Sequence, residues 1–213
     1  MKNNNLSDED KFKEKISTIW KSVCLTEMCF DAAYGISENI SNTNSLANKI
    51  GFFRLARLVF WRMGVIEFSK LLSNRKTEDF NIHKLLHTLY PDQFGGKFKV
   101  DLNKIQKWEE SLNCQKNAID NVLKLRDKVY AHTDLKSLGS DVNYNFPPKN
   151  DVREILNLLK EIIGELYDNI FEIGIDMGSP MKIKEEIALI FEKMEEMNKI
   201  LQQELVKQIN ASK

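Results

Sequence analysis

The chain has 213 residues, 42% of them hydrophobic and 29% charged, a balance that is typical of soluble helical proteins. Lysine plus arginine and aspartate plus glutamate number 31 each, so no overall charge attracts nucleic acid or an anionic membrane. This argues against a non-specific DNA-binding protein and leaves room for a local basic site.

Cysteine usage and hydropathy indicate the compartment. Cys24, Cys29 and Cys114 follow neither a disulfide framework nor a metal-binding spacing, and we expect free thiols in a reducing cytosol. The polar N-terminus lacks the apolar run of a signal peptide. The most apolar stretch, residues 50–68, contains three arginines, so we expect no transmembrane helix. The sequence therefore predicts a cytoplasmic protein.

Apolar spacing predicts six helices in chain order. A flexible tail, residues 1–7, precedes a first helix over about 7–40, with Gly35 as a candidate break. Pro91 ends the third helix and Asp101 caps the fourth. Between them, residues 91–100 are predicted to be a loop with an extended piece, and residues 134–149 a second loop. The remaining helices are predicted over about 45–72, 79–90, 102–131, 151–175 and 181–209.

These elements predict an all-α protein, an up-and-down bundle of about five to six helices forming one domain over residues 8–213. The second helix is apolar nearly all round, which places it at the centre of the bundle. The last helix carries a repeat of three- and four-residue steps that spans fewer than three heptads, so core packing is favoured over a dimer seam. The residues of that repeat are Ile183, Ile187, Ile190, Met194, Met197 and Leu201.

Three other patterns are candidate sites, each with a simpler interpretation beside it. Asp79, His83 and His87 recur every four residues, so one helical face could offer a metal two imidazoles and a carboxylate. The alternative is a half-buried helix with histidines at its solvent edge. The glycine pair in "FGGKF", residues 94–98, is typical of a turn and lacks the flanking elements of a phosphate-binding loop. Basic residues of the second helix either bind phosphate or lie along its apolar surface with their charges in water; these are Lys49, Arg54, Arg57 and Arg62.

The stretch "LRDKVYAHTD", residues 125–134, ends the fourth helix with an anomaly. An inward-facing stripe of that helix consists of Ile105, Trp108, Leu112, Ile119 and Val122. The same spacing continues to Arg126, so an arginine stands where an apolar residue is expected. A buried or interfacial guanidinium needs a carboxylate, a phosphate or a symmetric partner from a second copy. One alternative is a structural ion pair with an acidic neighbour such as Glu27, which interrupts the stripe of the first helix.

The same stretch contains His132, six residues after Arg126. On an ideal helix the two side chains point about 120° apart and cannot meet at one ligand. Either the helix ends near His132, or a second copy of the chain supplies the partner. The pair suits metal-independent RNA cleavage, because histidine transfers protons near neutral pH and arginine holds phosphate with paired hydrogen bonds. Asp127 can orient either side chain, and Tyr130 can stack on a base.

The sequence "LRDKVYAHTD" resembles the signature of the HEPN superfamily, and its "RDKxxAHxD" form is similar to the abortive-infection U-type branch. The close match covers about ten residues, and the helical layout around it is similar too. The resemblance implies a helical bundle that dimerises, with the arginine and histidine of both protomers lining a cleft for metal-independent RNA cleavage. These residues correspond to Arg126 and His132 here, with Asp127 as the polar residue after the arginine.

Two positions depart from that pattern. Many members have asparagine in place of Asp127, so this chain brings a negative charge near the phosphate, which implies slower or regulated cleavage. Members paired with nucleotidyltransferase antitoxins often have a tyrosine two residues after the histidine, where this chain has Asp134. We expect Arg126, His132 and Asp127 to be catalytic, and Tyr130, Lys128 and Asp134 to bind substrate.

The leading hypothesis is a homodimeric ribonuclease of a phage-defence, abortive-infection or toxin–antitoxin system, with RNA as its substrate and no metal or other cofactor. An antitoxin or regulatory protein is a further expected partner. The rival hypothesis, from a different class, is a non-catalytic helical module that binds RNA or protein. A third is a metal-binding bundle that uses His83 and His87.

Overall fold

The computed structural model describes residues 7–41, 49–75, 77–98, 100–127, 148–171 and 182–211. These residues form seven α-helices and one short 3₁₀ helix, Phe94–Phe98, and contain no β-strand. The predicted all-α fold is therefore confirmed. The helices are α1 (Asp8–Ile40), α2 (Gly51–Leu72), α3 (Ile82–Thr88), α4 (Leu102–Cys114), α5 (Lys116–Leu125), α6 (Lys149–Phe171) and α7 (Ile183–Ala211).

Local capping explains where several helices begin. The Ser7 hydroxyl accepts a hydrogen bond from the Asp10 backbone N–H at 3.1 Å. The Asn81 side chain accepts one from the Lys84 N–H at the start of α3. The predicted cap of α4 is confirmed, because the Asp101 carboxylate accepts from the Asn103 N–H at 3.0 Å. Each cap satisfies a backbone donor that the first helical turn leaves unpaired.

Three predicted boundaries are wrong. The helix α1 continues through Gly35 without a break. The helix predicted over 102–131 divides at Gln115, whose backbone angles, φ −86° and ψ 7°, depart from the α-helix. The apolar period runs on across this single residue, so the spacing did not mark it. In the described part of the range 91–100, which excludes residue 99, the chain forms the 3₁₀ helix in place of an extended piece. A Cβ at Gly96 would lie 2.6 Å from the Tyr90 carbonyl oxygen, so this tight turn needs glycine.

The described residues group into two compact units. The first draws its described residues from 7–27 and 64–171, and the second from 28–63 and 182–211. The helices α1 and α2 therefore each contribute to both units. The prediction of one domain over residues 8–213 stays a prediction. Residues 1–6 of the predicted tail and the loop predicted over 134–149, up to residue 147, lie outside the described residues.

The core of the first unit is built from apolar faces of its helices. In α1, Phe12, Ile16, Ile19 and Val23 are buried. The helix α4 packs against α3, α5 and α6. The Trp108 indole N–H on α4 donates to a Glu161 carboxylate oxygen on α6 at 3.0 Å. A buried indole therefore keeps its hydrogen bond while its ring fills the core.

The second unit has a smaller core in which α7 packs on α1 and α2. Phe191 lies against Phe53, with ring centroids 4.7 Å apart, and contacts the buried Ile36 and Ile40. Trp61 is fully buried and meets Phe30 edge-on at 5.4 Å. This core involves only the first half of α7.

Two predictions about this unit are wrong in part. The first half of α2 is not central, because Phe52, Leu55, Val59 and Met63 expose 41–67% of their surface. The repeat of α7 does not pack on the core throughout either. Its members Ile190, Met197 and Leu201 are 50–57% exposed, and every residue from 199 to 211 is exposed. An apolar period shows that a face avoids water, but not which molecule covers it.

Among the described residues, no helix has the length and the apolar composition needed to cross a lipid bilayer. All three cysteines are free thiols, as predicted: Cys29 is buried, Cys24 half-buried and Cys114 exposed.

Candidate functional site

Arg126 directly follows α5, at the end of the predicted inward stripe. The five apolar residues of that stripe are all buried, as predicted. The Arg126 side chain is only 13% exposed, so the arginine does occupy a largely buried position. Arg126 and Asp127 lie in a π-helical turn, a geometry that often occurs at functional sites.

Arg126 belongs to a group of four charged side chains, which we call the arginine cluster: Arg75, Glu78, Arg126 and Asp127. Its central contact joins neighbours, because Nε and Nη2 of Arg126 each lie 3.0 Å from Oδ1 of Asp127. Nη1 of Arg126 lies 3.7 Å from Oε1 of Glu78. The guanidinium therefore has carboxylates near two of its edges, which makes its burial tolerable.

Arg75 completes the cluster from the end of α2. Its Nη2 donates to Oδ2 of Asp127 at 2.7 Å. Asp127 thus bridges two arginines, one through each carboxylate oxygen. The side chains of Arg75 and Asp127 are 55% and 42% exposed, so this side of the cluster is open to solvent. A half-open site with two guanidinium groups can bind an anion.

Arg126 does not meet Glu27, the partner that the structural alternative named. The Glu27 carboxylate instead accepts from the Lys160 ammonium group on α6, at 2.5 Å, in a pair that is largely buried. Burial, and next the negative charge of Glu27, raises the pKa of the nearby Cys24 thiol to about 11. Arg126 therefore contacts acidic side chains, as the structural alternative expected, but these are Asp127 and Glu78 and not Glu27.

Only part of the predicted site lies within the described residues. Arg126 and Asp127 are described and in contact. The predicted catalytic His132 and the candidate substrate-binding residues Lys128, Tyr130 and Asp134 lie outside the described residues. Their roles stay predictions.

The alternative metal site is not supported by the positions of its residues. Asp79 precedes the capping residue of α3, so it does not continue the face of His83 and His87; its carboxylate pairs with Lys84 at 3.1 Å. Burial lowers the pKa of the half-buried His83, and the neutral form that this favours is the form that can bind a metal, so the case against the site rests on the positions of the residues. Across the ranges that the structure describes, no three His, Cys, Asp or Glu side chains come close enough to hold a metal ion.

Sequence reasoning missed Arg75 and Glu78. They lie in the polar segment after α2, about fifty residues before Arg126, and no spacing links the two segments. The usable signal was indirect: a largely buried arginine requires acidic partners. That requirement predicts a carboxylate without saying which one.

The fold and the site together define a class of protein. A chain whose described residues are helical, with a largely buried arginine at a helix end inside the sequence "LRDKVYAHTD", has the features of a HEPN domain. A family model described as HEPN_AbiU2 (AbiU2) matches residues 9–189, well over half of the chain. The chain therefore belongs to the AbiU2 family of the HEPN superfamily, the abortive-infection branch that the signature resembles. No curated protein and no solved structure matches it.

Proposed function

We propose that this protein is a cytoplasmic, metal-independent endoribonuclease that acts as a homodimer in abortive infection or in a toxin–antitoxin system. The observation that carries the proposal is Arg126, a largely buried guanidinium beside a solvent-open edge, within a HEPN signature. Arginine in such a position binds a phosphodiester with two parallel hydrogen bonds and stabilises the charge that develops in the transition state.

The proposed reaction needs no group from outside the protein and its substrate. His132 takes the proton from a ribose 2′-hydroxyl, and the 2′-oxygen attacks the adjacent phosphorus. The bond from phosphorus to the 5′-oxygen breaks, and His132 of the partner subunit gives that oxygen a proton. The products are a 2′,3′-cyclic phosphate and a 5′-hydroxyl. An antitoxin or other regulatory protein would control this activity in the cell.

Exposed apolar surface on the second unit supports the homodimer. The last thirteen residues of α7 are exposed, although a helix end of this length is marginal by itself in water. Its large apolar residues, each 51–60% exposed, are Ile200, Leu201, Leu205, Val206 and Ile209. The outer face of α2, from Phe52 to Met63, is similarly exposed, and each stretch is about 17 Å long at 1.5 Å per residue. We propose that a second copy's α7 packs on this face of α2.

Substitutions confined to α7 can test the proposed dimer. Leu201→Lys with Leu205→Lys places two charges on the exposed apolar stripe, and we expect sedimentation equilibrium to show monomers where the wild type is a dimer. Gln203→Lys with Asn210→Lys is the matched control, since it adds the same charge on the opposite side of the helix and should leave the dimer intact. This interface would be contradicted if the wild type stays monomeric at tens of micromolar, or if the variant with Leu201→Lys and Leu205→Lys is still a dimer.

Arg126→Gln tests the catalytic proposal. The amide keeps much of the side chain's volume but removes the charge and the paired donors, so we expect cleavage of a single-stranded RNA to fall by about 10² or more. Arg153→Gln is the control, because Arg153 is an exposed arginine on α6 outside the cluster. Cleavage should be the same with and without EDTA. Equal activity of the Arg126 and Arg153 variants would refute the role of Arg126.

The second candidate function is the non-catalytic binding module. The observation that favours it is the contact of Arg126 with Asp127 and Glu78, since an arginine already paired can be structural. This candidate predicts that neither the wild type nor any variant cleaves RNA, while Arg126→Gln still weakens the binding of RNA or of a partner protein.

A further inference from the structure

We infer that Arg75 is a second phosphate-binding residue, which together with Arg126 forms a two-arginine site for one phosphodiester of single-stranded RNA. The inference rests on the proposed ribonuclease and extends its site to a residue that the HEPN signature does not contain. It also assigns Asp127 a role, as the carboxylate that competes with the phosphate.

The geometry of Asp127 carries the inference. One carboxylate oxygen faces Nε and Nη2 of Arg126 at 3.0 Å, and the other accepts from Nη2 of Arg75 at 2.7 Å. A phosphodiester offers two non-bridging oxygens at a separation similar to that of a carboxylate's pair. A phosphate in place of the Asp127 carboxylate can therefore accept from both arginines at once.

Exposure shows how a phosphate can reach this position. Arg126 is held in the protein, with a 13% exposed side chain, whereas Arg75 is 55% exposed and Asp127 42%. The carboxylate can thus turn toward water while the two guanidinium groups keep their places. RNA approaches the site from the exposed side, where Arg75 lies. Arg126 then contacts the phosphate from the interior of the protein.

The charges explain why Asp127 matters. Two arginines face two carboxylates, those of Asp127 and Glu78, so the arginine cluster has no net charge. Binding RNA requires Asp127 to give up its charge-assisted contacts with both arginines, which lowers affinity for isolated phosphates. Asp127 thereby restrains a nuclease that would otherwise bind any single strand.

The test uses the full-length protein and a short fluorescein-labelled oligonucleotide with 2′-O-methyl ribose, which cannot be cut by 2′-oxygen attack. We expect Arg75→Gln to weaken binding about tenfold and Arg75→Lys to recover part of the loss. Asp127→Asn should tighten binding, because it removes the competing charge. Arg153→Gln should bind as the wild type does.

Salt dependence distinguishes a phosphate contact from a structural ion pair. Loss of one phosphate contact should reduce the slope of log affinity against log salt by about 0.7 for a single strand. An Arg75→Gln variant that melts at a lower temperature but keeps the wild-type affinity and slope would overturn the inference. A mononucleotide that competes as well as the oligonucleotide would do so too, since the site would then be one for small molecules.

The two proposals fail in different ways. If Arg75→Gln binds and cleaves normally while Arg126→Gln does not, the second arginine is wrong and the ribonuclease stands. If the wild type never cleaves RNA yet Arg75→Gln weakens binding with the smaller salt slope, the ribonuclease is wrong and the phosphate site stands.

Discussion

Two groups of charged side chains in the first unit differ in their access to water. Glu27 and Lys160 form a pair between α1 and α6 whose side chains are 17% and 13% exposed. In the arginine cluster, Arg126 is equally buried at 13%, but its neighbour Asp127 is 42% exposed and Arg75 55%. The first group is closed, and the second has one open side.

The difference separates structural charge from charge that a ligand can use. Both side chains of the Glu27–Lys160 pair are largely buried between α1 and α6, which leaves little room for a ligand to reach either charge. The arginine cluster is held in place on its inner side and accessible on its outer side. Such a combination keeps a guanidinium oriented and still lets an anion exchange with its carboxylate partner.

The largest expected effect on stability comes from breaking the closed pair. Lys160→Met leaves the Glu27 carboxylate buried without its cation, and we expect a loss of about 3–5 kcal/mol in the free energy of unfolding. Urea unfolding followed by circular dichroism measures this loss. Glu27→Leu combined with Lys160→Met should restore most of the stability, because two apolar side chains then replace the two charges.

That pair of variants can contradict the structural interpretation. If the Lys160→Met variant is as stable as the wild type, the Glu27–Lys160 pair is not shielded from water. RNA cleavage per folded molecule should be unchanged in the double variant, since neither residue belongs to the arginine cluster.

The smallest expected effect on stability comes from the open group. Arg126→Gln should lower the free energy of unfolding by about 1 kcal/mol or less, because Asp127 keeps its contact with the half-exposed Arg75. The same variant is the one expected to lose RNA cleavage. A loss of stability as large as that of Lys160→Met would make Arg126 a structural residue and would remove the contrast between the two groups.

The features that the sequence predicted well are local. Arg126 stood out because the buried stripe from Ile105 to Val122 continues into it over a few turns of helix. The cap at Asp101 and the helix start at Ser7 likewise depend on residues within one turn. Side chains three or four positions apart on a helix are neighbours wherever the helix lies, so their pattern predicts contacts directly.

The features that it did not predict depend on packing. Arg75 and Glu78 reach Arg126 only because separate helices of the first unit fold together, and their segment carries no distinguishing period. The break at Gln115 leaves the apolar face continuous, and so it is invisible to periodicity. The exposed end of α7 looked like core because an apolar stripe is the same whether its own chain or a second copy covers it.

We propose that this chain cuts RNA by attack of a 2′-hydroxyl, with His132 as the acid–base residue. The most direct measurement compares wild type and His132→Ala on a short single-stranded RNA in EDTA, with product ends identified by mass spectrometry. We predict 2′,3′-cyclic phosphate and 5′-hydroxyl ends from the wild type and a cleavage rate lower by about 10² or more in His132→Ala. A 2′-deoxy oligonucleotide of the same sequence should not be cut, because it lacks the attacking hydroxyl. Cleavage that needs added metal, leaves 5′-phosphate ends or persists in His132→Ala would contradict the account.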